Sequence, residues 1–377
     1  MKLLLTAPST RAIAESAKKA GYDFISLDFF GDADQKEICE NYSLREFKED
    51  YTLENLFKHA QDLEFTHVVY GSGFENHPEL VAEFEKRCTA QARIVLGNNC
   101  DTLRRVRDWK NFFKVLEKNG IPFPQTEILP KKEAIEALKN KYLIKPLAGG
   151  GGHAIYDSQS IDEAAADERL GEEVLLQEYI AGIPVSSTFV SSGGEFIFLG
   201  TAEQLRGTFF SPFCYSGNVV PLKAGRAAVE KMKEISHAIA NAFDLKGCNG
   251  IDFVINKGKP YVLEVNPRIP GSAELLEMAH GFNVIDAHIK ACLGNLRSLK
   301  LKAPRKFYAK KILFADREVK YNIANRPGFV RDVPHHNERI QARAPICTVF
   351  AEGKTRRFCL EKLHKNEAKI KYLSEKS

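Results

Sequence analysis

The sequence predicts a mixed α/β protein in three parts, and three observations support this prediction. Strands alternate with helices over residues 1–100, a hairpin bearing carboxylates spans residues 250–268, and short β segments separated by prolines follow residue 300, before a lysine-rich tail after Leu360 that predicts a solvated helix or a frayed end. Alternating strands and helices are typical of a parallel sheet, whereas a hairpin joins antiparallel strands. A chain of 377 residues is long enough for two or three domains.

Composition narrows the class of protein. Hydrophobic residues make up 44% of the chain and charged residues 27%, which is ordinary for a globular protein. The net charge of +5 is compatible with anionic small-molecule ligands. The sequence lacks the stripe of basic residues that is typical of nucleic-acid-binding proteins. The eight cysteines include no C-x-x-C pair, so we expect reduced thiols and no zinc site. Because no apolar run approaches membrane length and no signal peptide is recognisable, we predict a soluble cytoplasmic protein.

Residues 1–100 predict a small parallel-sheet unit. Short apolar strands are expected at Lys2–Thr6, Tyr22–Phe30, Thr66–Tyr70 and Arg93–Leu96. A helix is expected at Arg11–Ala20, closed by Gly21, and another after Pro78. Ligands of such sheets bind beyond the carboxyl ends of the strands. The polar residues at those ends are candidate substrate contacts, although turn formation explains them equally well: Ser9, Arg11, Ser72 and Gly73.

The next segments contain a lysine and a run of glycines. Residues 101–125 predict a charged helix carrying Lys110, which could equally be a solvated lysine. A strand at Tyr142–Pro146 places Lys145 near its end, and four glycines follow: Gly149, Gly150, Gly151 and Gly152. Glycine backbone amides can approach phosphate closely, so we predict a mobile loop over phosphates. The spacing also fits a dinucleotide fingerprint, but that motif requires a helix where Ala154–Asp157 predicts a strand.

Two further segments could line a site. The segment Val174–Ile180, followed by Ala181-Gly182, ends a strand and starts a connector whose backbone groups could pair with an adenine edge. The stretch from Arg206 to Pro221 is rich in aromatic residues, glycine and serine and has no clear period. We predict it to be a long loop over a site, with Arg206 as a further candidate substrate contact.

The hairpin at 250–268 predicts a metal site. A three-residue loop at 257–259 would place Asp252 opposite Glu264. Like charges directly opposite each other across strands are unfavourable, and a divalent cation would compensate them. Asn266 on the same face adds a neutral oxygen, which completes a hard donor set suited to magnesium. Arg268 lies two residues on, where it can meet phosphate charge. The alternative is an ordinary hairpin with surface charge, but Glu264 lies inside an apolar strand.

The order of these features resembles the ATP-grasp superfamily, most specifically in GIDFV followed by LEVNPR. The resemblance implies an α/β domain before the core at 1–100, an ATP-grasp core at 101–300 and a small β-rich domain at 301–377. The core would consist of two subdomains that clamp ATP between them, and 141–182 would include the subdomain of the glycine flap.

The resemblance also implies roles for the candidate residues. Lys145 would touch the α and β phosphates, Gly149–Gly152 would close over them, and residues 177–180 would bind adenine. Magnesium, which manganese could replace, would be held by Asp252, Glu264 and Asn266. Arg268 would stabilise the transferring phosphoryl group. Lys110 lies beside the position of an earlier ATP-binding lysine of the superfamily, where this sequence has Trp109.

Within the superfamily, Arg11–Gly21, Asp28–Asp34 and Ser216–Pro221 resemble predicted carboligases related to tyramine–glutamate ligases. This resemblance implies an ADP-forming carboxylate–amine ligase that adds an amino acid in the biosynthesis of a C1-transfer cofactor. The alternatives are an ATP- and bicarbonate-dependent carboxylase and a non-catalytic nucleotide-binding module. We expect small-molecule carboxylate and amine substrates, no nucleic acid and no membrane partner, and a homodimer is compatible with the sequence.

Overall fold

A computed structural model describes residues 1–139, 141–321 and 326–375 of the chain. Its N-terminal part is a parallel sheet flanked by helices, as predicted. The five strands follow the order β3-β2-β1-β4-β5, and Leu3, Leu4 and Leu5 of the central strand are fully buried. The elements are β1 Lys2–Ala7, α1 Arg11–Ala20, β2 Asp23–Asp28, α2 Ala33–Lys36, β3 Asn41–Ser43, α3 Leu44–Phe47, α4 Leu53–Ala60, β4 His67–Tyr70, α5 Pro78–Ala90 and β5 Ile94–Leu96.

Two helices connect this sheet to the core, α6 Cys100–Arg107 and α7 Trp109–Lys118. The prediction of a single helix over 101–125 was therefore wrong. Asp108 interrupts it with an extended backbone, and its carboxylate accepts a hydrogen bond from the Asn111 amide at 3.0 Å. This N-cap starts a new helix because it satisfies an amide that has no partner within the helix.

A three-stranded antiparallel sheet in the order β6-β8-β7 forms the smaller layer of the core. Its elements are β6 Thr126–Pro130, α8 Lys131–Ala137, β7 Tyr142–Pro146, α9 Ile161–Ala166 and β8 Glu173–Glu178. Ala134, Ile144 and Ala164 are fully buried between the helices and this sheet. The strand predicted at 154–157 is reduced to one bridge between Ile144 and Tyr156.

The larger layer is an antiparallel sheet of eight strands in the order β13-β12-β9-β10-β11-β14-β18-β16, and β15 and β17 form a separate pair. The strands are β9 Ile183–Ser192, β10 Glu195–Arg206, β11 Tyr215–Val220, β12 Gly247–Asn256, β13 Lys259–Asn266, β14 Phe307–Phe314, β15 Val319–Lys320, β16 Val330–Arg331, β17 Arg339–Ile340 and β18 Pro345–Gly353. The helices are α10 Arg226–Phe243, α11 Ala273–His280, α12 Val284–Cys292 and α13 Arg356–Glu375.

Two features of the large sheet differ from expectation. The long loop predicted from Arg206 to Pro221 is confined to residues 207–214, since residues 215–220 form β11. This strand was not predicted because it contains Gly217, and glycine is uncommon inside strands. Glycine is required at this position because a Cβ would lie 2.0 Å from the Lys310 carbonyl oxygen. Strands β14, β16 and β18 extend the core sheet through the pairing of Val220 with Tyr308. The domain boundaries at residues 100 and 300 stay a prediction.

Across the three described ranges of the chain, no helix combines the length and the apolar character that a membrane span needs.

Candidate functional site

The hairpin β12–β13 brings Asp252 and Glu264 face to face, but through a different register from the predicted one. Its turn has two residues rather than three, Lys257 and Gly258, with φ of 46° and 82°. Both angles fit the tight turn that matches strand twist. Val254 consequently pairs with Tyr261, and an irregularity after Asp252 leaves Leu263 as an extra residue that restores the pairing of Asp252 with Glu264.

The two carboxylates interact strongly because both are half-buried and close together. Burial and, second to it, the charge of Glu264 raise the pKa of Asp252 to about 7. Gln204 hydrogen-bonds Asp252 and opposes this shift. A shared proton or a cation would relieve the repulsion.

Asn266 and Arg268 complete this face of the hairpin. The buried Asn266 Oδ1 accepts a hydrogen bond from Arg268 Nη2 at 3.0 Å. A carbonyl oxygen has a second lone pair, so it can still ligate a cation. Two carboxylates and one amide oxygen are hard donors, and this set fits magnesium. The described residues contain no cluster of three or more His, Cys, Asp or Glu side chains suited to a metal, so a cation between Asp252 and Glu264 would take its third donor from an amide or water.

These side chains open into a cavity of about 180 Å³ between the three-stranded and eight-stranded sheets. The predicted lysine and the adjacent glycine loop reach the same cavity as the hairpin face, which lies about a hundred residues further along the chain. The predicted residues on its wall are Lys145, Gly149, Gly150, Gly151, Gly152, Gln177, Arg206, Asp252, Glu264, Asn266 and Arg268.

Lys145 reaches the cavity from the end of β7. Its Nζ donates to Gln177 Oε1 at 2.5 Å, and Gln177 Nε2 in turn donates to Thr126 Oγ1 at 3.0 Å. Burial lowers the pKa of Lys145 to about 8, against the opposing effect of Glu264. Gln177 thus orients the ammonium with its side chain, a role that differs from the adenine contact expected of it.

The glycine loop lies against the loop that precedes β11. The Tyr215 amide donates to the Gly151 carbonyl at 2.7 Å. Gly152 has a φ of 71°, and a Cβ there would lie 2.1 Å from the Phe213 carbonyl oxygen. Only glycine fits this close approach, whereas a Cβ on Gly150 would meet no atom within 4 Å.

A second cavity of about 450 Å³ adjoins the first and shares Lys145, Gln177 and Arg206 with it. The connector residues Glu178, Tyr179 and Ile180 line this second cavity. The Glu178 amide already donates to the Gln125 carbonyl at 2.7 Å, and the Tyr179 amide to Lys141 at 2.6 Å. Within the connector, the Glu178 and Tyr179 amides are therefore engaged, which leaves carbonyl groups and the Ile180 amide as candidates for an adenine edge.

Five predicted contacts lie away from both cavities: Ser9, Arg11, Lys110, Ser72 and Gly73. Arg11 is 1% exposed and its guanidinium is neutralised by Glu274 and Asp332, with 2.8 Å from Nε to Asp332 Oδ1, which explains it as an internal ion pair. Lys110 is exposed on α7. The Asp108 cap instead leaves Arg107 and Trp109 on the cavity wall.

Sequence reasoning missed Arg107, Glu75 and Asn76, which surround the hairpin face. Glu75 and Asn76 follow closely on Ser72 and Gly73, the residues that the strand-end rule selected. Arg107 Nη1 donates to the Val265 carbonyl at 3.1 Å, and Arg268 Nε donates to Glu75 Oε1 at 3.0 Å. Burial alone would raise the pKa of Glu75, but Arg268 and Arg107 outweigh it and hold that pKa below its usual value.

Comparison with known proteins agrees with this geometry. Residues 106–272 match the family model described as "ATP-grasp domain". An uncharacterized protein of Methanocaldococcus jannaschii is 29% identical over 363 residues, which are 93% of this chain and 88% of that protein.

Solved structures share the fold over nearly the whole chain. The biotin carboxylase domain of Hydrogenobacter thermophilus 2-oxoglutarate carboxylase, in complex with MgADP and bicarbonate, has a TM-score of 0.76 and 14% identity, covering 97% of this chain and 89% of that one. The L-amino acid ligase of Bacillus licheniformis has a TM-score of 0.70 and 15% identity, with 97% of each chain covered. At these identities the likeness establishes the fold.

Proposed function

We propose that this protein is an ATP-dependent carboxylate–amine ligase that forms ADP and acts through an acyl phosphate. The observation that supports it most is the convergence of Lys145, the glycine loop and the pair Asp252–Glu264 on one cavity. Enzymes that transfer phosphoryl groups combine cations, backbone amides and a metal site with oxygen ligands at one place.

The two adjoining cavities suggest how ATP lies. Its adenine occupies the larger cavity beside residues 178–180, and its phosphates run past Lys145 into the cavity beneath Gly149–Gly152. Arg107 provides a second cation there, in place of the predicted Lys110. Asp252, Glu264 and Asn266 would hold magnesium, which would neutralise phosphate charge.

The protein contributes positioning and electrostatic stabilisation to the reaction. A substrate carboxylate attacks the γ-phosphorus, the bond to the β-phosphate oxygen breaks, and ADP leaves. An amine then attacks the acyl carbon, loses a proton and expels phosphate. Lys145 and Arg268 offset the negative charge that develops during the first step. The cavity sets the reacting groups in place, so no nucleophile of the protein is needed.

The finer assignments rest on sequence resemblance. An amino acid as the added amine, and a product in the biosynthesis of a C1-transfer cofactor, follow from the likeness of Arg11–Gly21 and Asp28–Asp34 to predicted carboligases. The biotin carboxylase complex with bicarbonate makes a carboxylase the second candidate, because bicarbonate is itself a carboxylate that ATP can activate.

A screen of ADP release tests the proposal. Purified protein with ATP and magnesium is assayed against panels of carboxylates, each with and without amines, and with bicarbonate alone. Release that needs one carboxylate and one amine, with an amide product seen by mass spectrometry, supports the ligase. Release with bicarbonate and no amine supports the carboxylase. Glu264→Gln protein, purified in the same way, reports contaminating ATPase activity.

A further inference from the structure

We propose that Glu75 and Asn76, contributed by the N-terminal part of the chain, are positioning residues that hold Arg107 and Arg268 and link them to the glycine loop. The inference rests on the proposed function, since it assumes that the cavity binds ATP. Both residues lie in a short 3₁₀ turn at Phe74–Asn76, after β4. Neither lines the cavity, so they act through the residues that do.

Glu75 fixes the two guanidinium groups from behind. Its Oε1 lies 3.0 Å from Arg268 Nε and 3.7 Å from Arg107 Nη2. Glu75 is only 2% exposed, and its Oε2 has no hydrogen-bond partner among the described residues. A buried carboxylate with one unpartnered oxygen depends on adjacent cations for its charge, and it restrains those cations in return.

Asn76 connects the same arginine to the loop. Its Oδ1 accepts a hydrogen bond from Arg107 Nε at 3.0 Å, and its Nδ2 donates to the Gly149 carbonyl at 3.2 Å. One side chain thus uses its acceptor for a cation of the cavity wall and its donor for the first glycine of the loop. Because the loop contact needs the loop in this position, Asn76 couples loop closure to the placement of Arg107.

The chain of contacts continues to the metal face. Arg107 Nη1 donates to the carbonyl of Val265, the residue between Glu264 and Asn266. Arg268 Nη2 donates to Asn266 Oδ1, so both arginines that Glu75 contacts are bonded to the end of β13. The loop, the two cations and the metal-facing strand are therefore held by adjacent residues of one turn.

The Asn76→Asp variant tests the two hydrogen bonds of the Asn76 side chain separately. An aspartate keeps an acceptor for Arg107 but replaces the donor to Gly149 with an oxygen that repels its carbonyl. Hydrogen exchange across residues 145–156 is measured with saturating ATP and magnesium for wild type, Asn76→Asp and Asn76→Ala. We expect the loop to exchange about fivefold faster in both variants, the scale of one lost hydrogen bond. The control Asn119→Ala removes a bond to the Val115 carbonyl at 2.8 Å, far from the cavity, and should match wild type.

Activity gives the second readout. Glu75→Gln should lower kcat by roughly ten- to a hundredfold, the scale of one charge-assisted hydrogen bond, with a smaller change in the ATP Kd. The control Glu85→Gln alters a bond to the Cys100 amide and should leave kcat unchanged. Asn76→Asp should keep a higher kcat than Asn76→Ala because it retains the acceptor for Arg107.

The outcomes are distinguishable. Wild-type exchange of the loop in Asn76→Asp and Asn76→Ala would overturn the coupling, and so would an unchanged kcat in folded Glu75→Gln. If ATP and magnesium do not protect the loop of the wild-type protein itself, the proposed nucleotide site is wrong and the coupling fails with it. Melting temperature accompanies each variant, and Asn76, which is only half-buried, keeps the test informative should Glu75→Gln fail to fold.

Discussion

Asp252 lies directly opposite Glu264 across β12 and β13, and neither carboxylate has a positively charged partner within salt-bridge distance among the described residues. Such a pair is unfavourable for the protein alone and favourable once a divalent cation binds between the carboxylates. The arrangement would therefore stabilise a metal-bound form relative to the metal-free protein.

Replacing one carboxylate of the pair should abolish activity without lowering the stability of the metal-free protein. We expect Asp252→Asn and Glu264→Gln to lose ADP release while their metal-free melting temperature stays equal to wild type or rises, because the repulsion is removed. ADP release is measured with magnesium, and melting is measured with a chelator at pH 7.5. The exposed Glu230→Gln on α10 is the control. Undiminished ADP release by Glu264→Gln would contradict the assignment of the metal site.

ATP binding should weaken with rising pH because of Lys145. Its pKa of about 8 in the free protein means that the ammonium loses its proton above pH 8, whereas bound phosphate favours the charged form. The ATP Kd should therefore increase above pH 8 by up to about tenfold per pH unit. Titration calorimetry between pH 7 and 10 measures this dependence. In Lys145→Arg the positive charge persists, so the increase of the ATP Kd above pH 8 should disappear. A variant with the same pH profile as wild type would show that another group causes this increase.

The same shift has a consequence for stability. The folded protein releases the Lys145 proton at about pH 8, and the unfolded chain releases it near the ordinary lysine value of 10.5. The unfolded state thus binds more protons between these values, so this residue makes stability rise with pH over that interval. Lys145→Met should remove this contribution, which denaturant unfolding at pH 8 and pH 10 can measure.

The sequence specified the chemistry of the site better than its geometry. Asp252, Glu264, Lys145 and the glycine loop were predicted because their residue types, order and local pattern are visible within short segments. The partner of Arg268 was not, since Glu75 lies 193 residues away and only tertiary packing joins them. Local irregularities of the helices and strands were also not predictable from the sequence.

Those irregularities follow from single residues with a physical reason. The Asp108 cap divides a helix that looks continuous, and it determines that Arg107 rather than Lys110 reaches the cavity. The extra residue at Leu263 compensates for a turn one residue shorter than predicted. Gly217 looks like a loop residue but is required by the nearby backbone of β14.

Two glycines of the loop provide a matched pair. Gly152→Ala should prevent the loop from packing as it does here, since its Cβ would lie 2.1 Å from the Phe213 carbonyl oxygen and its φ is 71°. Gly150→Ala meets no atom within 4 Å and should be tolerated. Hydrogen exchange of residues 147–156 with ATP and magnesium should show lost protection in Gly152→Ala only. Equal protection in both variants would mean that the close approach to Phe213 is not part of the nucleotide-bound state.

Arg107 and Lys110 form another matched pair, three residues apart. Arg107 lines the cavity and Lys110 is exposed. We expect Arg107→Ala to weaken ATP binding by roughly tenfold or more, the scale of a lost charge-assisted contact, and Lys110→Ala to leave it unchanged. Calorimetric ATP titration with magnesium measures both. The reverse result would restore Lys110 as the ATP-binding cation and show that the chain rearranges around α7 when nucleotide binds.

Arg268 combines structural and catalytic roles, and the structure shows how to separate them. Arg268→Ala removes the nearer of the two cations beside Glu75 and leaves the buried carboxylate with Arg107 alone, at 3.7 Å, which should destabilise the protein by up to about 3–5 kcal/mol. A low melting temperature of this variant is therefore uninformative about catalysis. The double variant Glu75→Gln/Arg268→Ala removes both charges and should recover much of the stability, because Arg107 keeps its hydrogen bonds to Asn76 and to the Val265 carbonyl.

The rates of these variants then decide the role of Arg268. If its guanidinium stabilises the transferring phosphoryl group, Arg268→Lys and the stabilised double variant should bind ATP with near-normal affinity. The kcat of the double variant should nevertheless fall by roughly a hundredfold or more below that of Glu75→Gln alone, the scale of one lost transition-state donor. Arg268→Lys keeps the charge without the planar fork and should retain only part of the wild-type rate. A folded double variant with the same kcat as Glu75→Gln would show that Arg268 serves only to neutralise Glu75.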